Sequence, residues 1–378
     1  MRALVVTWGP GGNLPPMLAV ASLLAGRGHE VTVLASGETR GAASDLGLAV
    51  VGYDRTPDPD VSVPFEDQAE PMMATAAGEE VALDARDAIR DLRPALVVVD
   101  CMLPAALAAA RALHTPACSL VHFAYGLART QMERSGNAWT TDLRTLAATC
   151  RALGVSPPRD GRDAWESYDL VLVSAPRWFD LDACFPAHVA HAGPLGVSVP
   201  PGASAERRRV LLSLSTTRMR GQERLVERAC EAAASLNREA LLTLGPAVPR
   251  EAVRIPDGVE VVAAADHDAL MPDAAAVVGH GGLGTVLRAL AHGAPQLILP
   301  LGRDQAFNGS RVEGLGAGIA LPGGASPADI RGALEALVAE PRYAEAAAAA
   351  ARRIRADDPD RSAAEALEGT LPLSAERP

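Results

Sequence analysis

VVGHGGLGTVLRALAHGAPQLILPLGRDQAFN, residues 277–308, is the stretch that decides the fold. It opens with a β-branched apolar run ending at Gly279. His280, Gly281, Gly282 and Gly284 then make a glycine-rich turn, and apolar residues on helical spacing begin near Thr285. A second apolar strand, Gln296 to Leu299, follows the helix, with Asp304 and Gln305 just past it. A strand that turns through glycines into a helix is an anion site. The unpaired N–H groups of the helix's first turn and its dipole both favour phosphate, and glycine lets the backbone approach a ligand closely.

Outward from this stretch the strand–helix alternation repeats. Val210 to Leu214, Leu241 to Leu244 and Val259 to Val262 precede it as strands, with a helix near Gly221 to Ser235. In the first half Ala3 to Val6, a turn over Gly9 to Gly12, a helix over Pro16 to Ala25 and Val31 to Ala35 make a βαβ unit. Ala49 to Val51, Leu96 to Val99, Ala117 to Val121 and Leu170 to Ser174 extend the series. From His188 to Pro194 and on through LGVSVPPGASAE the periodicity fails and Gly and Pro gather, as in a linker. At 378 residues the chain exceeds what one core usually organises. The expectation is an α/β protein with two parallel-sheet domains: 1–195, a linker over 196–207, 208–355, and a helical tail over 356–378 that could pack back on the first domain.

In open α/β sheets ligands lie beyond the carboxyl ends of the strands. Asn13, Asp100 and His122 each follow a strand in the first half and are candidates to converge on one site. The plainer alternative makes Asp100 the cap of the next helix and His122 an ordinary loop residue.

Composition excludes several chemistries. All 35 basic residues are Arg, so there is no P-loop lysine, no pyridoxal-phosphate Schiff base and no lysine nucleophile. A net charge of -11 argues against nucleic acid or anionic membrane as a partner. The five cysteines form no C-x-x-C pair, which predicts neither a zinc site nor a disulfide framework. The N-terminus reads as a strand rather than a signal peptide and no apolar run is long enough to cross a bilayer, so a cytoplasmic protein is expected.

Gly279, Gly281 and Gly284 also spell G-x-G-x-x-G, with Asp304 about twenty residues on, as in a dinucleotide fingerprint. The fit is poor. Three strands of the second half precede the motif, which normally fills the first βα turn of its domain. Asp304 lies in a loop past Pro300 rather than at a strand end, and no hydride-transfer constellation accompanies it.

HGGLGT, ALAHGAPQLILP and DQAFNGSRVEGLGAGIAL, with SLSTT at Ser213 to Thr217, AADHDALMPDAAAVVGHGG, AGPLG, GNLPPML and RGHEVTVLAS, occur in the order found in another group. Together they resemble the UDP-glucuronosyl/glucosyl-transferase family in its bacterial natural-product branch. The resemblance implies a GT-B fold, with two Rossmann-like doubly wound domains facing a central cleft, the first for acceptor and the second for a dTDP- or UDP-sugar donor. By match of position it places the diphosphate on His280, Gly281, Gly282 and Thr285 and the sugar hydroxyls on Asp304 and Gln305. Thr216 and its loop would close over the phosphates, and the segment Ala264 to His267 would meet the nucleotide base. It implies no metal or cofactor, and no carboxylate cluster suited to Mg²⁺ is evident near the motif.

The sequence departs from that family at one position. G-H-x-x-P-x-L carries the histidine that in the family takes the acceptor's proton, oriented by an aspartate that matches Asp100, and this chain has Asn13 in its place, in Gly12 to Leu18. A carboxamide has no accessible basic site near neutral pH. Three readings stay open: Asp100 or His122 acts as base, directly or through water; an acidic acceptor needs only orientation by Asn13; or no transfer is catalysed. The sequence therefore reads as an inverting glycosyltransferase moving a sugar, a deoxysugar by resemblance, onto a small hydrophobic natural-product acceptor, as monomer or homodimer. The alternatives are a non-catalytic sugar-nucleotide-binding helper of an active transferase and a nucleotide-sugar epimerase on the same fold.

Overall fold

The computed structural model describes residues 1–9, 11–60, 62–135, 141–180, 184–198, 207–214 and 217–370. The chain divides into two compact units: Met1–Asp60 with Asp67–Gly196 and Asp358–Pro378, and Val61–Glu66 with Val197–Asp357.

The first unit is built on a seven-stranded sheet, paired parallel throughout. In chain order it carries β1 (Arg2–Val6), α1 (Leu14–Gly26), β2 (Glu30–Ala35), α2 (Gly37–Asp45) and β3 (Ala49–Gly52). Then come α3 (Phe65–Ala76), α4 (Glu79–Leu92), β4 (Leu96–Asp100), α5 (Pro104–Ala112) and β5 (Ala117–Val121). The sheet is completed through α6 (Tyr125–Ser135), α7 (Leu143–Ala152), α8 (Asp163–Glu166), β6 (Leu170–Val173) and β7 (Val189–His191). Strands buried on both faces read as continuous apolar runs, and alternate residues enter opposite cores. Ala3 and Val5 pack with Met17, Leu24 and Leu120 on one side. Leu4 and Val6 pack with Val81, Ile89 and Leu107 on the other. The strand order β3-β2-β1-β4-β5-β6-β7 reverses direction between β1 and β4, which makes that crevice the ligand position of such a sheet.

The second unit repeats the plan with six parallel strands in the order β10-β9-β8-β11-β12-β13. Its elements are β8 (Arg209–Ser213), α9 (Gln222–Ala234), β9 (Glu239–Thr243), β10 (Val259–Val262), α10 (His267–Leu270), β11 (Ala274–Gly279) and α11 (Leu283–Ala291). They continue through β12 (Gln296–Ile298), α12 (Gln305–Gly314), β13 (Gly318–Ala320), α13 (Pro327–Ala339) and α14 (Pro341–Asp357). The order reverses between β8 and β11, so the glycine-rich turn after β11 stands at this sheet's own switch point. A last helix, α15 (Pro359–Gly369), belongs to the first unit, where Ala363 and Leu367 are fully buried in the α1 core.

Three sequence expectations change. The stretch from His188, taken as the start of a linker, contains β7, which pairs with β6 through Val171↔Val189. β13 was not foreseen: three residues are too few for a period to register. The helix after the glycine turn starts at Leu283, with Gly282 as its N-cap, rather than near Thr285. The expected linker lies mostly outside the described residues. Among the described residues no helix is long and apolar enough to cross a membrane.

Candidate active site

The strand order of the first unit puts the ends of β1, β4 and β5 side by side, and with them Asn13, Asp100 and His122. Asp100 is the last residue of β4 and pairs with Leu120 of β5. Two residues on, His122 returns to the same face. Its Nε2 lies 3.0 Å from Asp100 Oδ1, which also accepts the N–H of Met102 at 2.9 Å. On the other side Asn13 Nδ2 donates to Asp100 Oδ2 at 2.7 Å and to the Trp8 carbonyl at 3.3 Å. Trp8 is fixed in turn by its indole N–H on the Pro57 carbonyl at 2.9 Å. Both Asp100 oxygens are thus held, and the residue is 1% exposed.

These bonds decide between the two structural readings of the site. The helix after Asp100 has Leu103 as its N-cap, so Asp100 is not that cap. Asn13 occupies the N-cap position of α1 but makes no capping bond; its backbone is helical and its amide is turned to Asp100. α1 tolerates this because prolines fill its first turn, where N–H donors lack partners anyway. Asp100, Cys101 and His122 also present ligand atoms within 4.8 Å of one another. The Asp100 oxygens and one nitrogen of His122 are engaged in hydrogen bonds with one another and with Asn13 and Met102.

In the second unit the glycine turn is set by backbone geometry. Gly281 has φ +91, and a Cβ there would stand 2.8 Å from Ile298 Cγ2 and 2.9 Å from the Gln305 carbonyl oxygen. Gly282 leaves room for the His280 ring: a Cβ would meet His280 Nε2 at 2.5 Å. His280 is buried, its Nδ1 lacks a partner among the described residues, and burial first and the Arg303 charge second press its pKa down to about 4. It is therefore a neutral imidazole at physiological pH. Thr285 sits in the first turn of α11, whose leading N–H groups have no acceptor within the helix.

Asn308, which sequence reasoning missed, ties the turn to the next helix. Its Nδ2 donates to the Gly281 carbonyl at 2.8 Å and to Asp304 Oδ2 at 3.1 Å, one helical turn back. That i, i+4 spacing from Asp304 was the available signal. Gln305 keeps its Oε1 on the N–H groups of Leu301 and Gly302, at 2.7 and 3.1 Å, while its Nε2 rests on Met219 Sδ at 3.3 Å. His267 lies at the ends of β8 and β9, its Nε2 within 3.2 Å of Ser213 Oγ and 3.0 Å of Thr243 Oγ1; burial chiefly lowers its pKa. Thr216 lies outside the described residues. The structure thus gathers His280, Gly281, Gly282, Thr285, Asp304 and Gln305 around one turn, with His267 at neighbouring strand ends of the same unit.

The described geometry has relatives. Residues 227–368 match a family model described as "Erythromycin biosynthesis protein CIII-like, C-terminal domain". The elloramycin glycosyltransferase ElmGT of Streptomyces olivaceus is 32% identical over 376 residues, which cover 94% of each chain. The TDP-daunosamine transferase DnrS of Streptomyces peucetius is 39% identical over 178 residues, 45% of this chain and 40% of that protein. Two further relatives, from Streptomyces fradiae and Saccharopolyspora erythraea, are matched over 24% and 28% of their own length. Among solved structures, the glycosyltransferase VinC in complex with dTDP has a TM-score of 0.73 at 23% identity, covering 98% of this chain and 99% of that one. The calicheamicin glycosyltransferase CalG4 has a TM-score of 0.77 at 24% identity, covering 99% of each. At these identities the structures speak to the fold, which is GT-B.

Proposed function

We propose that this chain, which belongs to the antibiotic glycosyltransferase family of its full-length relative ElmGT, transfers a deoxysugar from a dTDP-sugar to a small hydrophobic natural-product acceptor with inversion. The observation that carries the reading is His280. A buried imidazole nitrogen with no partner among the described residues stands at the N-terminus of α11, beside an Asp304 tied through Asn308 to the same turn. The α11 N–H groups, Thr285 and the neutral His280 bind the diphosphate and stabilise the charge it gains as it leaves. Asp304 accepts from the sugar hydroxyls, and Gln305, its oxygen retained by the loop, offers an N–H. His267 and the residues before it border the base, and the Thr216 loop covers the phosphates. No metal is needed, because helix N–H groups supply the electrostatic stabilisation a cation would otherwise give.

Support for dTDP and for a deoxysugar comes from the relatives themselves, a TDP-daunosamine transferase and a glycosyltransferase in complex with dTDP. The N-terminal unit holds the acceptor, and the protein acts as a monomer or homodimer without nucleic acid. A second reading, a helper that binds nucleotide sugar without turning it over, draws on Asn13 alone. The test is a panel of dTDP- and UDP-sugars followed by saturation-transfer NMR and by nucleoside diphosphate release with and without acceptors. Tighter binding of dTDP- than UDP-sugars and acceptor-dependent release are expected. Absence of binding by any nucleotide sugar would overturn the reading, and donor conversion with no acceptor would point to an epimerase instead.

A further inference from the structure

We infer that the acceptor's base in this chain is His122, through Nδ1, and that Asp100 and Asn13 are the positioning residues that make it one; the inference rests on the glycosyl-transfer reading above. Three polar groups meet here, and chemistry and burial eliminate two as the base. Asn13 has no basic atom, and both hydrogens of its amide nitrogen are spent on Asp100 and the Trp8 carbonyl. Asp100 is ionisable, but Oδ1 accepts from Met102 and His122 and Oδ2 from Asn13, and the residue is 1% exposed. Oδ2 keeps one lone pair, but the carboxylate side chain is 1% exposed against 8% for the His122 ring, so an incoming hydroxyl reaches the imidazole and not the acid. His122 differs. Its Nε2 is held by the carboxylate, which fixes the proton on that nitrogen and leaves the lone pair on Nδ1, and among the described residues Nδ1 makes no hydrogen bond. Its side chain is 8% exposed at the carboxyl end of β5, beside the switch point of the sheet.

The constellation has the logic of a carboxylate–imidazole pair in which the acid holds the tautomer and steadies the imidazolium. What is particular here is the third member. With an amide at position 13, Asp100 has no second imidazole to serve, and Asn13 instead pins the carboxylate from the far side so that it faces His122. In the transfer step the acceptor's O–H proton goes to His122 Nδ1 and the acceptor oxygen bonds to the anomeric carbon. The anomeric C–O bond to the diphosphate breaks with its electron pair, which leaves on the diphosphate. The imidazolium then stands against ionised Asp100. Asn13 Oδ1 has no partner among the described residues and can accept a hydrogen bond from the incoming hydroxyl.

Two measurements on the full chain test this. The first is independent of turnover: ¹⁵N NMR of selectively labelled histidine should show His122 with hydrogen on Nε2 and a bare Nδ1, and the D100N variant should lose that assignment. Hydrogen on Nδ1 in the wild-type protein would overturn the inference. The second is kinetic. H122A should lower kcat roughly 100- to 10,000-fold for an aliphatic alcohol acceptor with donor binding unchanged. The loss should be smaller for a phenolic acceptor, and added imidazole should restore part of it; H122F, which keeps the ring volume, should match H122A but resist rescue. N13A should act mainly on kcat, with a smaller loss that grows with acceptor pKa, which a merely structural role would not produce. If kcat of H122A stays within about fivefold of wild type, the inference fails while the donor reading stands. If the protein binds nucleotide sugars and never transfers them, the inference fails likewise. If it binds none, the donor reading fails, and the ring-nitrogen measurement still decides the pairing.

Discussion

At the switch point of the second sheet the side chains stand on a turn that main chain defines: Gly281 at φ +91, Gly282 against the His280 ring and the first turn of α11. At the switch point of the first sheet the site is made of side chains, Asn13, Asp100 and His122, with both oxygens of one buried carboxylate at the centre. The same topology thus hosts two kinds of construction. A main-chain site tolerates almost no change at its glycines and is indifferent to many other substitutions. A side-chain network admits replacement of a member provided the remaining hydrogen bonds close, and Asn13 in a position that the family pattern gives to histidine is such a replacement.

The contrast can be broken or sharpened by experiment. The largest effect should come from G281A. It forces a left-handed φ on alanine and drives Cβ into Ile298 and the Gln305 carbonyl, at a cost of about 4 kcal/mol in strain and overpacking together. Donor binding by titration calorimetry should vanish, while the His122 NMR signals of the other unit persist. Should G281A bind donor normally, the site is not defined by main chain. Next is acid. The His280 pKa is held near 4 against an ordinary value of 6.5, so the unfolded chain takes up a proton that the folded one refuses between those pH values. Stability therefore falls as pH drops from about 6.5 to about 4, by on the order of 3 kcal/mol, and is unaffected by this group above that window. Denaturant titrations across the range should show a shallower fall in H280N.

Smaller is N13A, which removes a donor from a buried carboxylate. A stability loss of about 2 kcal/mol is expected, read from the midpoint of urea unfolding, and N13A/D100N together should lose less than the sum of the single changes. Additive losses would mean that Asn13 and Asp100 do not act as a unit. The smallest effect belongs to the surface, where Arg27 Nε and Nη2 donate to the two Glu368 oxygens, each at 2.8 Å. R27A should leave Tm within about 2 °C of wild type by calorimetry despite that geometry, because solvent screens the pair.

The two constructions also differ in how far they could be read from sequence. The glycine turn was legible because a backbone that needs φ near +91 or room for a ring selects glycine, and HGGLG records the requirement directly. His280, Asp304 and Gln305 travelled with it. The first-unit network was legible only as three residues at strand ends. That they share one carboxylate depends on β1, β4 and β5 being neighbours, a fact of strand order that no local pattern encodes. Asn308 escaped for a related reason: its i, i+4 spacing from Asp304 is common to many helix pairs and gains meaning only when the Gly281 carbonyl is placed against it. β7 and β13, three residues each, were too short for alternation to show, and β7 lies in a region whose Gly and Pro read as linker.

The placement of α15 has a consequence for biosynthesis. Residues 359–369 close the core of the first unit, with Ala363 and Leu367 buried against α1, yet they are synthesised after every residue of the second. A nascent chain paused just before Pro359 holds an N-terminal unit with an open hydrophobic seam along α1 while every residue of the C-terminal unit is already made. Order of synthesis and order of completion are thus inverted. A premature stop or a protease cut after Asp357 should damage the half of the molecule farthest from it in sequence.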